Sequence, residues 1–238
     1  VAYEGGRLFI DEYLRKYSAK ESDPDFALRR DSTYCPRHAG SAIDKIKNSI
    51  YQRMVSIVRK STSVSYMDAV SGLNGGVDNK TSTMNYFMGY RVLPELLVMG
   101  KVGVYVDMPE IEGDTLYHSM NKHPYLYVYQ REQIINWTEN DENVLTSLLL
   151  RDNCFEKDEE TGFSVGVATK YRYYVLTNDG VMFSYVDSNM KTMEGTRRLL
   201  RLPAIPFVIF EIPKSLMTDT ADYQIALLNM ESSDINYA

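Results

Sequence analysis

The chain has 238 residues, 44% of them apolar and 24% charged. These are ordinary proportions for a globular protein long enough to bury one large core or two small ones. Its net charge of −6 is spread unevenly, +4 over residues 1–60 and −10 over the remainder, which argues against sequence-specific DNA binding because that needs a concentrated basic face. A surface past which DNA slides without sticking stays compatible with such a balance. No apolar run approaches the eighteen residues of a membrane span. The opening VAYEGGRLF has neither the basic leader nor the apolar centre of a signal peptide, and with no initiator methionine it reads as an internal piece of something longer. Cys35 and Cys154 lie far apart in sequence and fit two free thiols of a reducing compartment.

Taken in order, Arg7 to Tyr17 predicts an amphipathic helix with Leu8, Phe9, Tyr13, Leu14 and Tyr17 inward. Lys20 to Asp25 reads as a turn, and Phe26 to Arg30 as a short helical piece. A longer helix is predicted over about residues 41 to 60, started by Ser41 with Asp44 three residues on. Ile43, Ile46, Ile50, Met54, Ile57 and Val58 repeat at helical spacing along it, and its other face carries Lys45, Lys47, Arg53, Arg59 and Lys60. A solvated face is the plainer account of those cations.

Ser71 to Asn79 is a loop, and Ser82 is the expected cap of a helix over Thr83 to Met99, kinked or restarted at Pro94. The Lys80-Thr81 pair after glycines is no phosphate loop: Asn79 stands where the glycine before the lysine belongs, and no apolar strand feeds it. Gly100 closes the helix and Val102, Val104 and Val106 alternate as a strand, ended by Asp107 and Pro109.

Beyond Pro109 the pattern turns to strands. Tyr125, Tyr127 and Tyr129 alternate with Leu126 and Val128, a strand with both faces partly buried or with one aromatic face. Val144 to Phe155, Phe163 to Thr177 and Val181 to Tyr185 predict an antiparallel meander, with Asn178-Asp179-Gly180 as a tight hairpin and Gly166 at a bulge or a close backbone approach. Phe207 to Phe210 is a short buried strand between prolines. Thr220 to Ala238 reads as a last helix, capped by Asp219 or Thr220, with Ala221, Ile225, Leu228 and Ile235 as its stripe. The fold class is therefore α+β: N-terminal helices, a central antiparallel meander and a C-terminal helix. Its expected parts are residues 1–108, 109–214 and 215–238.

Constellations that could carry chemistry are thin. Cys35-x-x-His38 and His118-x4-His123 have ligand types and spacings seen in zinc sites, but loop histidines are far commoner than ligands and no metal is expected. Asp107, Glu110, Glu112 and Asp114 crowd one turn without the ligand pattern of a calcium loop. Cys154 has no helix start beside it to lower its pKa, and no G-x-S-x-G turn is present. Two glycosylation tripeptides, at Asn79 and Asn136, carry no meaning without a secretory signal. Lys170-Tyr171-Arg172-Tyr173-Tyr174 is the one cluster interleaving aromatic and basic residues as single-strand binders do, although cross-strand packing accounts for it as well. No enzyme and no cofactor are expected.

Three motifs carry a resemblance. Gly100-x-x-Gly103 with Tyr105-Val106-Asp107-Met108-Pro109 is similar to the G-x-x-G-x-x-V-D-x-P segment of portal proteins of tailed bacteriophages. Tyr3-Glu4-Gly5-Gly6 ahead of a helix, and Arg30 to Tyr34 ahead of a longer one, follow the same family's order. So does His123-Pro124-Tyr125 leading to Gln133-Ile134-Ile135-Asn136-Trp137, although His123 stands where that family has arginine and Cys35-Pro36 interrupts the first link. The resemblance implies a structural subunit of the head–tail connector, corresponding to the outer wing. It implies a ring of copies, usually twelve, at one capsid vertex of the virion, made in the host cytoplasm, through which double-stranded DNA is packaged and ejected. The implied partners are a packaging terminase, capsid and head–tail adaptor proteins and DNA passing without being read; no membrane is involved. A ring needs two different patches that meet, and the basic face Lys45, Lys47, Arg53, Arg59 and Lys60 and the acidic remainder of the chain are the candidate opposites. A cytoplasmic binding or adaptor module is the alternative, and a hydrolase built on carboxylates such as Asp107 and Glu110 a more distant one.

Overall fold

A computed structural model describes residues 1–108, 123–157, 161 and 163–235. The chain is mixed helix and antiparallel sheet, as its patterning predicts. It divides into two units, Val1–Lys101 with Glu211–Ala238, and Val102–Phe210.

The first unit is helical. Helix α1 (Gly6–Tyr13) is shorter than its pattern suggested, because the backbone turns extended at Leu14. Phe9, Ile10 and Leu14 are buried, whereas Leu8 and Tyr17, expected inward, are exposed. Helix α2 (Asp23–Ser32) begins inside the predicted turn: the Ser22 hydroxyl accepts from the Asp25 N–H at 3.2 Å, and Pro24 occupies the first turn, where a missing N–H costs nothing. Helix α3 (His38–Met54) starts three residues before Ser41 and ends well before residue 60. Its N-terminal half buries Ala39, Gly40 and Ile43, but Ile46, Ile50, Ile57 and Val58 are exposed. Helix α4 (Val64–Val70) is capped by Ser63.

Next come α5 (Met84–Phe87), a π-helical turn (Met88–Val92) and α6 (Leu93–Met99). The cap is Thr83, which accepts from the Tyr86 N–H, and not Ser82, whose hydroxyl donates to Asp78. The expected disturbance at Pro94 takes the form of this wider turn, in which the Leu93 N–H reaches back to Met88. A π-turn just ahead of a proline accommodates the hydrogen bond that proline cannot make. Gly89 lies in it against the ring of Tyr51 from α3, where a side chain would not fit.

The last helix, α7 (Met217–Ile235), also starts earlier than read. Ser215 accepts from the Met217 N–H, so neither Asp219 nor Thr220 is the cap. Its inner stripe is Gln224, Leu228 and Ser232, with Ala221 and Ile225 only half-buried; residues 236–238 lie outside those described. Leu228 joins Phe9, Ile10, Leu14 and Cys35 in one apolar cluster.

The second unit holds two sheets. Strand β1 (Lys101–Asp107) is central in a three-stranded sheet, between β2 (Tyr125–Gln130) and β8 (Phe207–Glu211). Gly100 ends α6 at φ 76°, the left-handed value that lets β1 follow at once. The other sheet is a five-stranded meander in sequence order: β3 (Ile134–Glu139), β4 (Leu145–Lys157), β5 (Ser164–Thr177), β6 (Gly180–Val186) and β7 (Arg198–Leu200). The predicted hairpin is present, with Thr177 opposite Gly180 and Tyr171 opposite Val186. A register slip between Glu156 and Lys157 falls opposite Gly166, the predicted bulge. Strand β3 was not legible as a strand. Tyr105, Tyr129, Leu148, Leu150, Tyr174, Val181 and Phe207, from both sheets, form this unit's core.

Candidate functional site: a basic apolar face and a tyrosine pocket

The structure separates the five cations of the predicted basic face. Lys45, Lys47 and Arg53 are on α3, whereas Arg59 and Lys60 lie past its end. Two of the five are committed to the fold. Lys47 donates to Asp44 at 2.8 Å and places its ammonium 5.6 Å from the ring of Tyr90. Asp44 also accepts from the Tyr3 hydroxyl at 2.8 Å and from Arg37 at 2.6 Å. Burial opposes ionisation of that carboxyl, but the hydrogen bonds from Lys47 and Tyr3 and the two cations outweigh it, so its pKa lies below the ordinary value.

Arg59 donates to the side chain of Asn85, whose amide in turn donates to the carbonyls of Val55 and Ile57. This clasp draws the chain off the helical path, which is why α3 stops although its apolar period runs on. Lys45, Arg53 and Lys60 remain, exposed and with no partner among the described residues. Beside them Ile46 and Ile50 are uncovered, and Val58, 78% exposed, continues the apolar surface past the helix end.

The zinc-type set does not assemble among the described residues, which hold no group of three or more potential ligands. His118 lies outside them. Cys35 is a free, buried cysteine whose thiol is pushed above its ordinary pKa by burial, the opposite of an activated thiolate. The side chain of Cys154 lies outside the described residues, as do Glu110, Glu112 and Asp114 of the acidic turn. Asp107 accepts from the hydroxyls of Tyr125 and Tyr127 at 3.4 and 3.3 Å.

The second unit contains a cavity of about 570 Å³ lined chiefly by Tyr105, Tyr125, Arg172, Tyr174, Phe183 and Tyr185. Strand alternation places Arg172 and Tyr174, two members of the aromatic–basic cluster, on its wall. Arg172 pairs with Asp152 and donates to the Tyr127 hydroxyl at 2.7 Å, while Tyr129 donates to Asp152 at 2.7 Å. The Tyr174 hydroxyl donates to that of Tyr105 at 2.9 Å, and its ring packs 5.1 Å from Phe183. Burial pushes the Tyr105 and Tyr129 hydroxyls well above their ordinary pKa, so both stay neutral. Arg172 and Tyr174 are therefore engaged with neighbouring strands, their polar atoms turned on Asp152, Tyr127 and Tyr105, and Tyr174 offers no exposed ring to a base.

Two groups escaped sequence reasoning. One is the buried Arg29–Glu21 pair, whose members carry no pairing signal at eight residues apart. The other is the outward side of α7, which was legible: residues 217–235 include four acids and not one lysine or arginine. No family model matches the chain, and comparison with curated proteins gives no match either.

Proposed function

We propose that this chain is the wing-like part of a tailed-phage portal subunit, a structural protein acting as one segment of a ring through which DNA passes. The observation that carries the reading is the segment joining α6 to β1. The two glycines of its portal-like motif occupy positions that need glycine, Gly100 for its left-handed backbone and Gly103 because Phe207 lies against its α-carbon. A helical unit with exposed apolar surface on α3 supports it further, since a ring subunit keeps faces for its neighbours. On this reading the partners are further copies of the chain, a packaging terminase, capsid and head–tail adaptor proteins, and duplex DNA held without base readout, at the portal vertex of the virion. The tyrosine-lined cavity favours a second reading, a binding module for a small or peptide ligand.

Electron microscopy of the full gene product separates the two. Closed rings with a central hole, twelve-fold or close to it, are the expected result. A product that stays monomeric at every salt and concentration tested would overturn the portal reading in favour of the binding module.

A further inference from the structure

Helix α7 is amphipathic in an unusual sense, because its outward side is also apolar. Gln224, Leu228 and Ser232 face in, while Tyr223, Leu227 and Met230, spaced by four and three residues, form a second stripe facing solvent. Tyr223 is 72% and Met230 65% exposed. The charges around this stripe have one sign. Asp219 is answered by Lys214 at 2.8 Å, but Asp222, Glu231 and Asp234 have no cationic partner among the described residues.

The exposed side of α3 is its counterpart. Ile46 and Ile50 are uncovered at four-residue spacing, and the cations beside them, Lys45, Arg53 and Lys60, are those without a partner among the described residues. One face is apolar and basic and the other apolar and acidic, and both belong to the first unit. An exposed apolar stripe rimmed by unpaired charge of one sign fits an opposite rim around a similar stripe. Such a pairing excludes like-charged partners and steers the approach of the matching one.

We propose that the Ile46–Ile50 face of α3 docks onto the Tyr223–Leu227–Met230 face of α7 in a second copy of this chain. The two faces differ, so the contact is head-to-tail, and each docked copy leaves one face of each kind open for the next. Such a contact would serve the proposed ring, but it is argued from these two faces and does not depend on ring closure or on phage origin.

Sedimentation velocity of the 238-residue chain tests it. The wild type is expected to associate with rising concentration, and less so in 0.5 M salt than at low salt, roughly as screening of exposed charges requires. Ile50→Glu, on α3, and Leu227→Glu, on α7, each weaken self-association by about tenfold or more, and the two altered faces repel each other. Mixed in equal amounts, the two variants give a dimer that grows no further, because only one α3 face and one α7 face remain intact. Arg53→Glu and Glu231→Gln repeat the mixing test with charge alone, should either first substitution disturb the fold by circular dichroism. A wild type that stays monomeric throughout would overturn the contact while leaving the ring to be judged on the full gene product. Association undiminished in the α7 variants would overturn it equally, since the α3 face would then be pairing with itself or with another surface.

Discussion

Replacing Arg29 by methionine is expected to lower the melting temperature by roughly ten degrees or more. The side chain is fully buried, and so is the Glu21 side chain beside it. Its guanidinium donates to both carboxylate oxygens of Glu21 at 2.8 and 2.9 Å, to the Arg15 carbonyl at 2.7 Å and to the Ser232 hydroxyl at 2.7 Å. The rings of Tyr17 and Phe26 lie 5.4 and 5.3 Å from it. Methionine fills much of the volume but leaves Glu21 with a backbone N–H from Tyr17 at 3.1 Å as its remaining hydrogen bond among those described. A buried carboxylate deprived of its cation is costly, whereas removing both charges is far less so. The double variant Arg29→Met/Glu21→Leu should therefore recover most of the loss in the same thermal scan.

The pH dependence has a definite sign. The hydrogen bond from Arg29 is the main cause holding the Glu21 carboxyl below its ordinary value of 4.5, against the opposing effect of burial and with help from the Tyr17 N–H. A folded-state pKa below the unfolded one contributes stability above that ordinary value and loses it as pH falls through the folded value. In Arg29→Met the lone buried carboxyl is instead raised, and protonation relieves it. The gap between wild type and variant should shrink between pH 7 and pH 4. A gap constant over that range would mean that the pair contributes packing and little else.

Gly103→Ala is expected to destabilise the second unit by about 1–3 kcal/mol, as overpacking a filled core does. An added β-carbon would clash with the tip of the Phe207 ring, which is 5% exposed and held between Tyr105 and Tyr129 at centroid distances of 6.5 and 5.8 Å. A shift of the ring would press on these tyrosines. Gly100→Ala poses a different problem. There a β-carbon finds ordinary contacts, the nearest 3.5 Å away on Ser215, and the cost is backbone strain at φ 76°, about 1–2 kcal/mol. Urea denaturation can distinguish the two causes. Phe207→Leu should partly rescue Gly103→Ala and do nothing for Gly100→Ala, while asparagine should be tolerated at position 100 better than alanine.

What could be read in advance follows from the range of the physics involved. The α6–Gly100–β1 segment and the Asn178-Asp179-Gly180 hairpin are local, their periods and turn residues adjacent in sequence, and both are where the sequence puts them. The end of α3 was misread because the clasp that stops it, Asn85 holding Val55 and Ile57, comes from some thirty residues away. For the same reason Arg59 and Lys60 dropped out of the helical basic face, whereas Lys47 left the exposed one through Asp44, three residues away, and the ring of Tyr90. The Tyr125–Tyr127–Tyr129 alternation promised an aromatic or doubly covered strand. That Arg172 would cross to Tyr127 and Asp152 depended on strand pairings that no local pattern specifies.

The first unit takes its residues from both sides of the second, and this has a bearing on synthesis. A ribosome delivers the sheet unit, residues 102–210, before α7 exists. Until Leu228 arrives, the cluster of Phe9, Ile10, Leu14 and Cys35 is incomplete, and until Ser232 arrives one arm of the Arg29 fork has no acceptor. The strands made later can thus settle first, while the helices made earliest wait with apolar surface uncovered, a condition that invites association with other nascent chains. On this arrangement the opening hundred residues would complete their packing only after the sheet unit that follows them in the chain. Substitutions near residue 230 would then be felt as a failure of the N-terminus to mature.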